Sequence, residues 1–517
     1  MTGLSLTQPL HKAPRERPGD TFTVFGDRRR SNVAFVDRVA RLAGALRALG
    51  VGPGDRVAML SPNSDRYVEY VFATLWAGGV INPVNTRWAP REMAFSLEDS
   101  QTRVLIVDES FASLVAELRG LAPNLTHVIH AGDGAAPTGG LEYEALIASA
   151  RPVEDAMRSG DDWAALLYTG GTTGRPKGVM LSHANIATGA LAVSAAGGHG
   201  GDAPGLHVAP FFHIGGVGTI FQFAFRRAAQ VITPAFDPGE TLRLIEAERI
   251  GDLFVVPTML RWLLDHPDIA TRDLSSLVSI RYGAAPIDTT LLARAMTAIP
   301  TAGFTQLYGQ TEFSPVVTCL PPKDHLGPGA GDRLTSAGRP ISTATVRIVD
   351  AARRDLPVGQ VGEIAVMGPQ IMLGYWNRPE ETAAVREGGW LFTGDAGFMD
   401  AGGYLHIVDR VKDMIVSGGE NVYSAEVEEA LSKMPAVAAC AVVAAKDPDW
   451  GERVHAFVVP AEGMAPTLDE VRAHCRDWIA GYKAPRSLTL VEALPLSPAG
   501  KVLKHELRAR LAEVVEA

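Results

Sequence analysis

Apolar runs and helix-like stretches alternate from Arg56 to Pro286, and this rhythm leaves few folds open. "RVAMLSP" (56–62) reads as a strand with an exit turn, and "SDRYVEYVFATLWAGG" (64–79) as a helix with a glycine stop. "INPVNTR" follows as an extended segment, "REMAFSLEDS" as a helix and "TRVLIVD" (102–108) as a strand. "GDLFVVPTML" and "LVSIRYGAAP" read as two further buried strands, each after a helix-like stretch. Such repetition predicts an α/β chain built on large, mostly parallel sheets with helices. Its 517 residues exceed one ordinary core, so two or more domains are expected. After about Ser336, "GRPISTATVRIVD", "GEIAVMG" and "GYLHIVDR" predict a β-rich subdomain over about 336–408. Beyond "DRVKDMI" the pattern becomes helix, strand, strand, helix, which predicts a small α+β domain. The expected division is a large N-terminal domain, 1–411, and a small C-terminal domain, 412–517.

A formal net charge of −10 argues against a general nucleic-acid binder, so a polyanionic ligand needs local positive charge. Cys319, Cys440 and Cys475 are far apart and form no metal spacing, which suits a reducing cytoplasm. The first twenty residues lack an apolar central region and are expected to be a flexible lead-in rather than a secretory leader. The terminal "EVVEA" carries no address signal. Gly205 to Phe225 contains no Asp, Glu, Lys or Arg, and its length alone would allow a membrane span. Pro210, two histidines and four glycines favour a buried helix or a strand-loop-helix lining a pocket, with no transmembrane segment. "AGDGAAPTGG" (131–140) reads as a plain loop.

"LLYTGGTTGRPKGVM" (166–180) holds four glycines, three threonines and one lysine. It is not a Walker loop, because Gly178 follows Lys177 where Ser or Thr is needed. Nor is it a dinucleotide fingerprint, because Gly170 and Gly171 are adjacent. Glycines let backbone N–H groups approach an anion, threonines add hydroxyl donors and a lysine adds a point charge. A phosphate-holding loop and a surface turn of small residues both fit the stretch by itself.

Other stretches stand in a fixed order around it: "APFFHIGG" with His213, "YGAAP" (282–286), "QLYGQTE" (306–312), "GWLFTGD" ending at Asp395, "DRVKDMIVSGGENVYSAEVE" from Asp409, and "LPLSPAGKVLK" with Lys501. Together, from about residue 20 to 510, they resemble the adenylate-forming superfamily of acyl-CoA synthetases, adenylation domains and beetle luciferases. "SGGENVYSAEVE" and "GYKAP" resemble the carboxylic acid–CoA ligase branch. The resemblance implies activation of a carboxylic acid by ATP, with acyl adenylate and pyrophosphate formed, then transfer of the acyl group to the thiol of CoA. The first step brings an anion to a polyanion, so positioning and charge neutralisation should dominate catalysis.

Residue by residue, Thr169, Gly170, Gly171, Thr172, Thr173, Gly174 and Lys177 match the family's grip on the β- and γ-phosphates. The family usually has Ser where this chain has Gly170, which removes one hydroxyl donor. Glu312 matches the glutamate that holds Mg2+, and Thr311 the contact to the α-phosphate. Gly309 and Gln310 belong to the same nucleotide motif. Tyr308 resembles the ring that packs on adenine and also fits a core tyrosine; Gly283, Ala284 and Ala285 would supply backbone contacts there. Asp395 matches the carboxylate that accepts from both ribose hydroxyls, and Arg410 the arginine near ribose and phosphate. His213 fits a gate beside the acyl pocket and also a satisfied core histidine. Lys501 matches the lysine that bridges carboxylate and α-phosphate. Lys412 matches the hinge of a mobile small domain, and Gly418 and Gly419 the face that lines the pantetheine channel. Lys483 and Arg486 fit a contact to CoA phosphates and also a solvated basic loop. The acid pocket is expected near His213, before Gly283 and around Gly309, suiting a medium-chain fatty or aryl acid. A homodimer is compatible with the resemblance. Two other readings keep the same fold: a ligase that loads a carrier protein, and a catalytically silent acyl or nucleotide sensor.

Overall fold

The computed structural model describes residues 3–169, 176–196, 200–285, 287–410, 413–417, 420–447, 451–496 and 502–515. The chain divides into two compact units, one of residues 1–345 with 366–391 and one of 346–365 with 392–517.

The first unit contains two large sheets. One runs Gly374–Tyr375, Lys177–Ser182, Trp163–Thr169, Val80–Pro83, Arg56–Leu60, Val104–Val107, His127–His130, Leu141–Glu142. From Trp163–Thr169 onward every neighbouring pair is parallel, as the βαβ rhythm predicts. The other has nine strands, with Gly303–Tyr308, Ser279–Gly283, Asp252–Val255, Gly205–His207 and Gln230–Ile232 adjacent and parallel in its middle. Parallel strands covered on both faces read as continuous apolar runs, which is why "VLIV" and "RVAML" were legible as strands. Helix Asp65–Ala77 begins where Ser64 accepts from Tyr67 N at 3.1 Å.

Two expectations need adjustment, and a third settles on one of its alternatives. The lead-in is not flexible coil: Gln8–Glu16 is a helix with Pro9, Leu10 and Ala13 buried, and Leu6 N donates to His183 Nδ1. Its few apolar residues fall on one helical face, so a short pattern in a polar stretch was enough to dock it. "GDLFVVPTML" is strand only over Asp252–Val255; Pro257 then opens helix Pro257–Asp265, where its missing N–H costs nothing. Gly205 to Phe225 is a strand-loop-helix, Gly205–His207 and then Ile214–Arg226. Among the described residues no helix is long and apolar enough to cross a membrane.

In the second unit, strand Leu405–Arg410 pairs antiparallel with Trp390–Met399 in a β-rich sheet that includes Thr345–Val349 and Gly362–Met367. A further sheet runs Glu420–Val422, Ile415–Ser417, Gly451–Pro460, Val437–Asp447, with Ser487–Leu490 parallel to Gly451–Pro460. Helices Ser424–Ser432 and Leu468–Arg476 supply Val427, Leu431, Val471 and Cys475 to a core with Val442, Val454 and Val458. This is the α+β pattern expected of the C-terminal part.

Candidate active site

Strands Trp163–Thr169 and Lys177–Ser182 form an antiparallel hairpin near one end of a sheet whose other side is parallel. Thr169 and Lys177 stand opposite each other in its register, so the two flanks of the glycine-rich loop meet. Gly170, Gly171, Thr172, Thr173 and Gly174 lie outside the described residues. Lys177 makes an ion pair with Glu381, and its Nζ lies 5.4 Å from the centre of the Tyr375 ring.

Tyr375 is held on the same ladder. Gly374–Tyr375 pairs antiparallel with Met180 and Val179, and Tyr375 N donates to Thr382 Oγ1 at 2.9 Å. The Tyr375 hydroxyl donates to Glu312 Oε1 at 2.9 Å, while Met372 N donates to the Glu312 carbonyl at 2.8 Å. Glu312 sits in the short 3-10 turn Thr311–Phe313, directly after strand Gly303–Tyr308. The buried Phe313 ring anchors that turn. Gly309 is required by closeness: a Cβ there would overlap the Pro315 carbonyl. Tyr308, Gln310 and Thr311 are half-buried around it.

The neighbouring strand Ser279–Gly283 ends beside Leu307, and a Cβ on Gly283 would overlap the Leu307 carbonyl. Ala284 then takes a left-handed φ of 65°, uncommon for a residue with a side chain, and is exposed. Ala285 follows, half-buried. Strain at a strand exit turns the chain sharply and leaves backbone groups presented at the surface. Just below, Tyr282 is fully buried and hydrogen-bonded to His325 Nε2 at 2.8 Å. Burial pushes its phenol pKa well up, so it serves as a fixed neutral anchor.

His213 caps helix Ile214–Arg226, its carbonyl accepting from Gly216 N and Val217 N, with its ring 4.4 Å from Phe212. It is half-buried, so both a gate and a packing role stay compatible with its position. The helix it starts packs near the nucleotide motif, since Gly218 faces Pro315 and Gly215 faces Phe254. Phe254 in turn packs with Leu307, Val316 and Cys319.

In the second unit Asp395 is buried, its N–H bonded to Thr393 Oγ1, and stands opposite Arg410 in the strand register. Asp409 accepts from the Ser424 hydroxyl and Ala425 N, at the start of helix Ser424–Ser432. Lys483 is ion-paired with both oxygens of Glu426, at 2.6 and 2.8 Å. Lys412, Gly418, Gly419 and Lys501 lie outside the described residues.

Two residues at the centre of this arrangement, Tyr375 and Glu381, were not singled out from sequence. "GYWNRPEET" holds two aromatics and two acids, but nothing in its spacing points across to a glutamate sixty-three residues earlier. Among the described residues no three His, Cys, Asp or Glu side chains gather as a metal cage. A lone carboxylate such as Glu312 fits Mg2+, which takes one or two carboxylates and fills its octahedron with water and substrate phosphates.

A family model described as AMP-binding enzyme matches residues 10–376, and one described as AMP-binding enzyme C-terminal domain matches residues 426–501. A feruloyl-CoA synthase from Amycolatopsis sp is 40% identical over 503 residues, covering 97% of this chain and 98% of that protein. The fatty acid–[acyl-carrier-protein] ligase ScoC from Streptomyces coeruleorubidus is 36% identical, covering 91% and 89%. The structure of ATP-bound MatB from Rhodopseudomonas palustris is 30% identical and superposes with a TM-score of 0.89 over 99% of this chain and 100% of that one. Two matched family models covering most of the chain, and relatives aligned from end to end, carry the conclusion that the protein belongs to the AMP-binding enzyme family.

Proposed function

We propose that the protein is an ATP-dependent carboxylic acid–CoA ligase working in the cytoplasm on an aryl or medium-chain acid. The observation that carries this reading is the meeting of Lys177 and Glu312 around Tyr375, a cation and a hard anion gathered beside a nucleotide motif. The feruloyl-CoA synthase relative favours an aryl acid among the acids. Phe254, half-buried, packed on Leu307 and Val316 and facing the helix that His213 starts, offers apolar surface of the kind such an acid needs.

In the first half-reaction a carboxylate oxygen of the acid bonds to the α-phosphorus of ATP as the bond to pyrophosphate breaks. Lys177 exchanges Glu381 for the β- and γ-phosphates, together with Thr169 and the glycine-rich loop between them. Bound Mg2+ neutralises charge on the departing phosphates. Glu312 presents its carboxylate for that ion. Thr311 contacts the α-phosphate, and Lys501 bridges it to the attacking carboxylate. Gly283, Ala284, Ala285 and Tyr308 cradle adenine, and Asp395 and Arg410 hold the ribose. In the second half-reaction the CoA thiol gives up its proton, its sulfur bonds to the acyl carbon, and AMP leaves. A turn about Lys412 separates the two halves, exchanging Lys501 for the Gly418–Gly419 face.

The test is incubation with ATP, Mg2+ and free CoA across ferulate, cinnamate, benzoate and medium-chain fatty acids. Mass spectrometry should find an acyl-CoA thioester. Acyl adenylate that passes only to a phosphopantetheinylated carrier protein would transfer the protein to the carrier-loading reading, which the ScoC relative favours. ATP–pyrophosphate exchange silent with every acid would leave a sensor.

A further inference from the structure

We infer that Tyr375 is a positioning residue for nucleotide binding, one that sets the Glu312 carboxylate with its hydroxyl and the Lys177 ammonium with its ring. The inference rests on the ligase reading for what the nucleotide is used for, and on geometry for the rest. Tyr375 reaches both groups at once: its hydroxyl is 2.9 Å from Glu312 Oε1 and its ring centre is 5.4 Å from Lys177 Nζ. The tyrosine itself has little freedom. Its strand is paired to Val179 and Met180, two and three residues beyond Lys177 on the next strand. Trp376 N donates to the Gly178 carbonyl at 2.8 Å, and Leu373 N to the Met180 carbonyl at 2.9 Å. Tyr375 N is held by Thr382 Oγ1, and Met372 N by the Glu312 carbonyl. One short strand therefore joins the lysine flank of the glycine-rich loop to the acidic turn.

The chemistry follows from donor and acceptor types. An ionised carboxylate accepts only. A phenol donating to Oε1 fixes the plane of the group, so the second oxygen is presented in one direction. Partners that orient a metal-binding carboxylate in this way tune affinity without touching the metal. An aromatic face beside an ammonium attracts it without consuming its N–H donors. Lys177 thus keeps its donors for a phosphate when Glu381 lets go. Glu381 has another cation to turn to, since Arg378 Nε lies 3.6 Å from its Oε1. The exchange leaves no charge unpaired.

The experiment is calorimetric titration of ATP into the full chain, with Mg2+ and again with EDTA, for wild type, Tyr375→Phe and Tyr375→Leu. Tyr375→Phe keeps the ring and loses the hydroxyl. Its affinity in EDTA should match wild type, while the tightening that Mg2+ brings should fall about tenfold. Tyr375→Leu should lose that and also bind ATP more weakly in EDTA. A Tyr375→Phe variant equal to wild type in both titrations overturns the inference, as does one that weakens equally with and without Mg2+, the mark of a merely structural role. A melting curve checks that each variant is folded; if Tyr375→Leu is not, the Phe variant decides. Wild-type affinity for ATP that Mg2+ leaves unchanged would also overturn the inference. Absence of thioester with normal Mg2+-dependent ATP binding would overturn the ligase reading instead.

Discussion

Two charged clusters in the first unit are built from similar parts and behave as opposites. Around Asp252, itself buried, Arg281 is fully enclosed and Arg226 largely covered: Arg281 Nε and Nη2 lie 2.9 and 2.7 Å from Asp252 Oδ1, Arg226 pairs with Oδ2, and Gln222 accepts from Arg281. Nearby, His207 is buried between Thr219 and Gln230. Around Tyr375, by contrast, Lys177, Glu381 and Glu312 are half-exposed, and Arg378 stands by as a second partner for Glu381. An enclosed ion cluster cannot change partners without leaving a charge in a low-dielectric interior. A half-exposed one can, because water and a competing anion share the cost. The first cluster serves folding; the second is suited to exchange.

This contrast can be broken in four places. Asp252→Ala leaves the buried Arg281 and the largely covered Arg226 without their carboxylate and should lower stability by about 3–5 kcal/mol, measured by denaturant unfolding. Loss of activity without loss of stability would place Asp252 in the wrong cluster. Glu312→Ala should leave the melting curve near wild type while ATP–pyrophosphate exchange falls roughly 10²-fold or more. A destabilised Glu312→Ala with intact exchange would reverse the assignment.

The third concerns pH. Burial lowers the His207 pKa from 6.5 to about 3, and those of His183 and His455 to about 4. The unfolded chain then binds more protons than the folded one between these values and 6.5. Stability from these groups is therefore full above pH 6.5 and is lost as pH falls towards the folded values. His207→Gln should flatten that acid limb in unfolding measured from pH 7 to pH 4; an unchanged slope would exclude His207 as a contributor. The smallest effect is expected for Gly170→Ser, which restores a hydroxyl to the glycine-rich loop. Exchange should stay level or rise a little, and a marked fall would mean that the glycine is needed for backbone shape.

Much of the fold was legible because parallel strands covered on both faces must be continuously apolar, as in "VLIV" and "RVAML". The helix Asp65–Ala77 was legible through its serine start and glycine stop. The lead-in helix Gln8–Glu16 was not, because one docked face of Leu10 and Ala13 is a faint signal in a polar stretch. At the site, Glu312, Ala284 and Lys177 were marked by motifs whose residues are neighbours in the chain. Tyr375 and Glu381 were not, because their roles exist only through partners far away in sequence. Lys483, assigned to CoA phosphates, is paired with Glu426, a contact that its own loop does not announce.

The sequence by itself determined the layered α/β plan, the β-rich and α+β portions, the family and the order of its motifs. The plan and its portions rest on periodicity, and the family on motifs, each of residues close along the chain, that resemble the family's. Tertiary structure alone decided which groups meet. The hairpin set Thr169 against Lys177, and strand pairing brought Tyr375 between that lysine and Glu312. Burial decided that Arg281 would serve the core. Hydrogen bonds and ion pairs act over a few ångströms whatever the separation in sequence, so only folding could choose their partners.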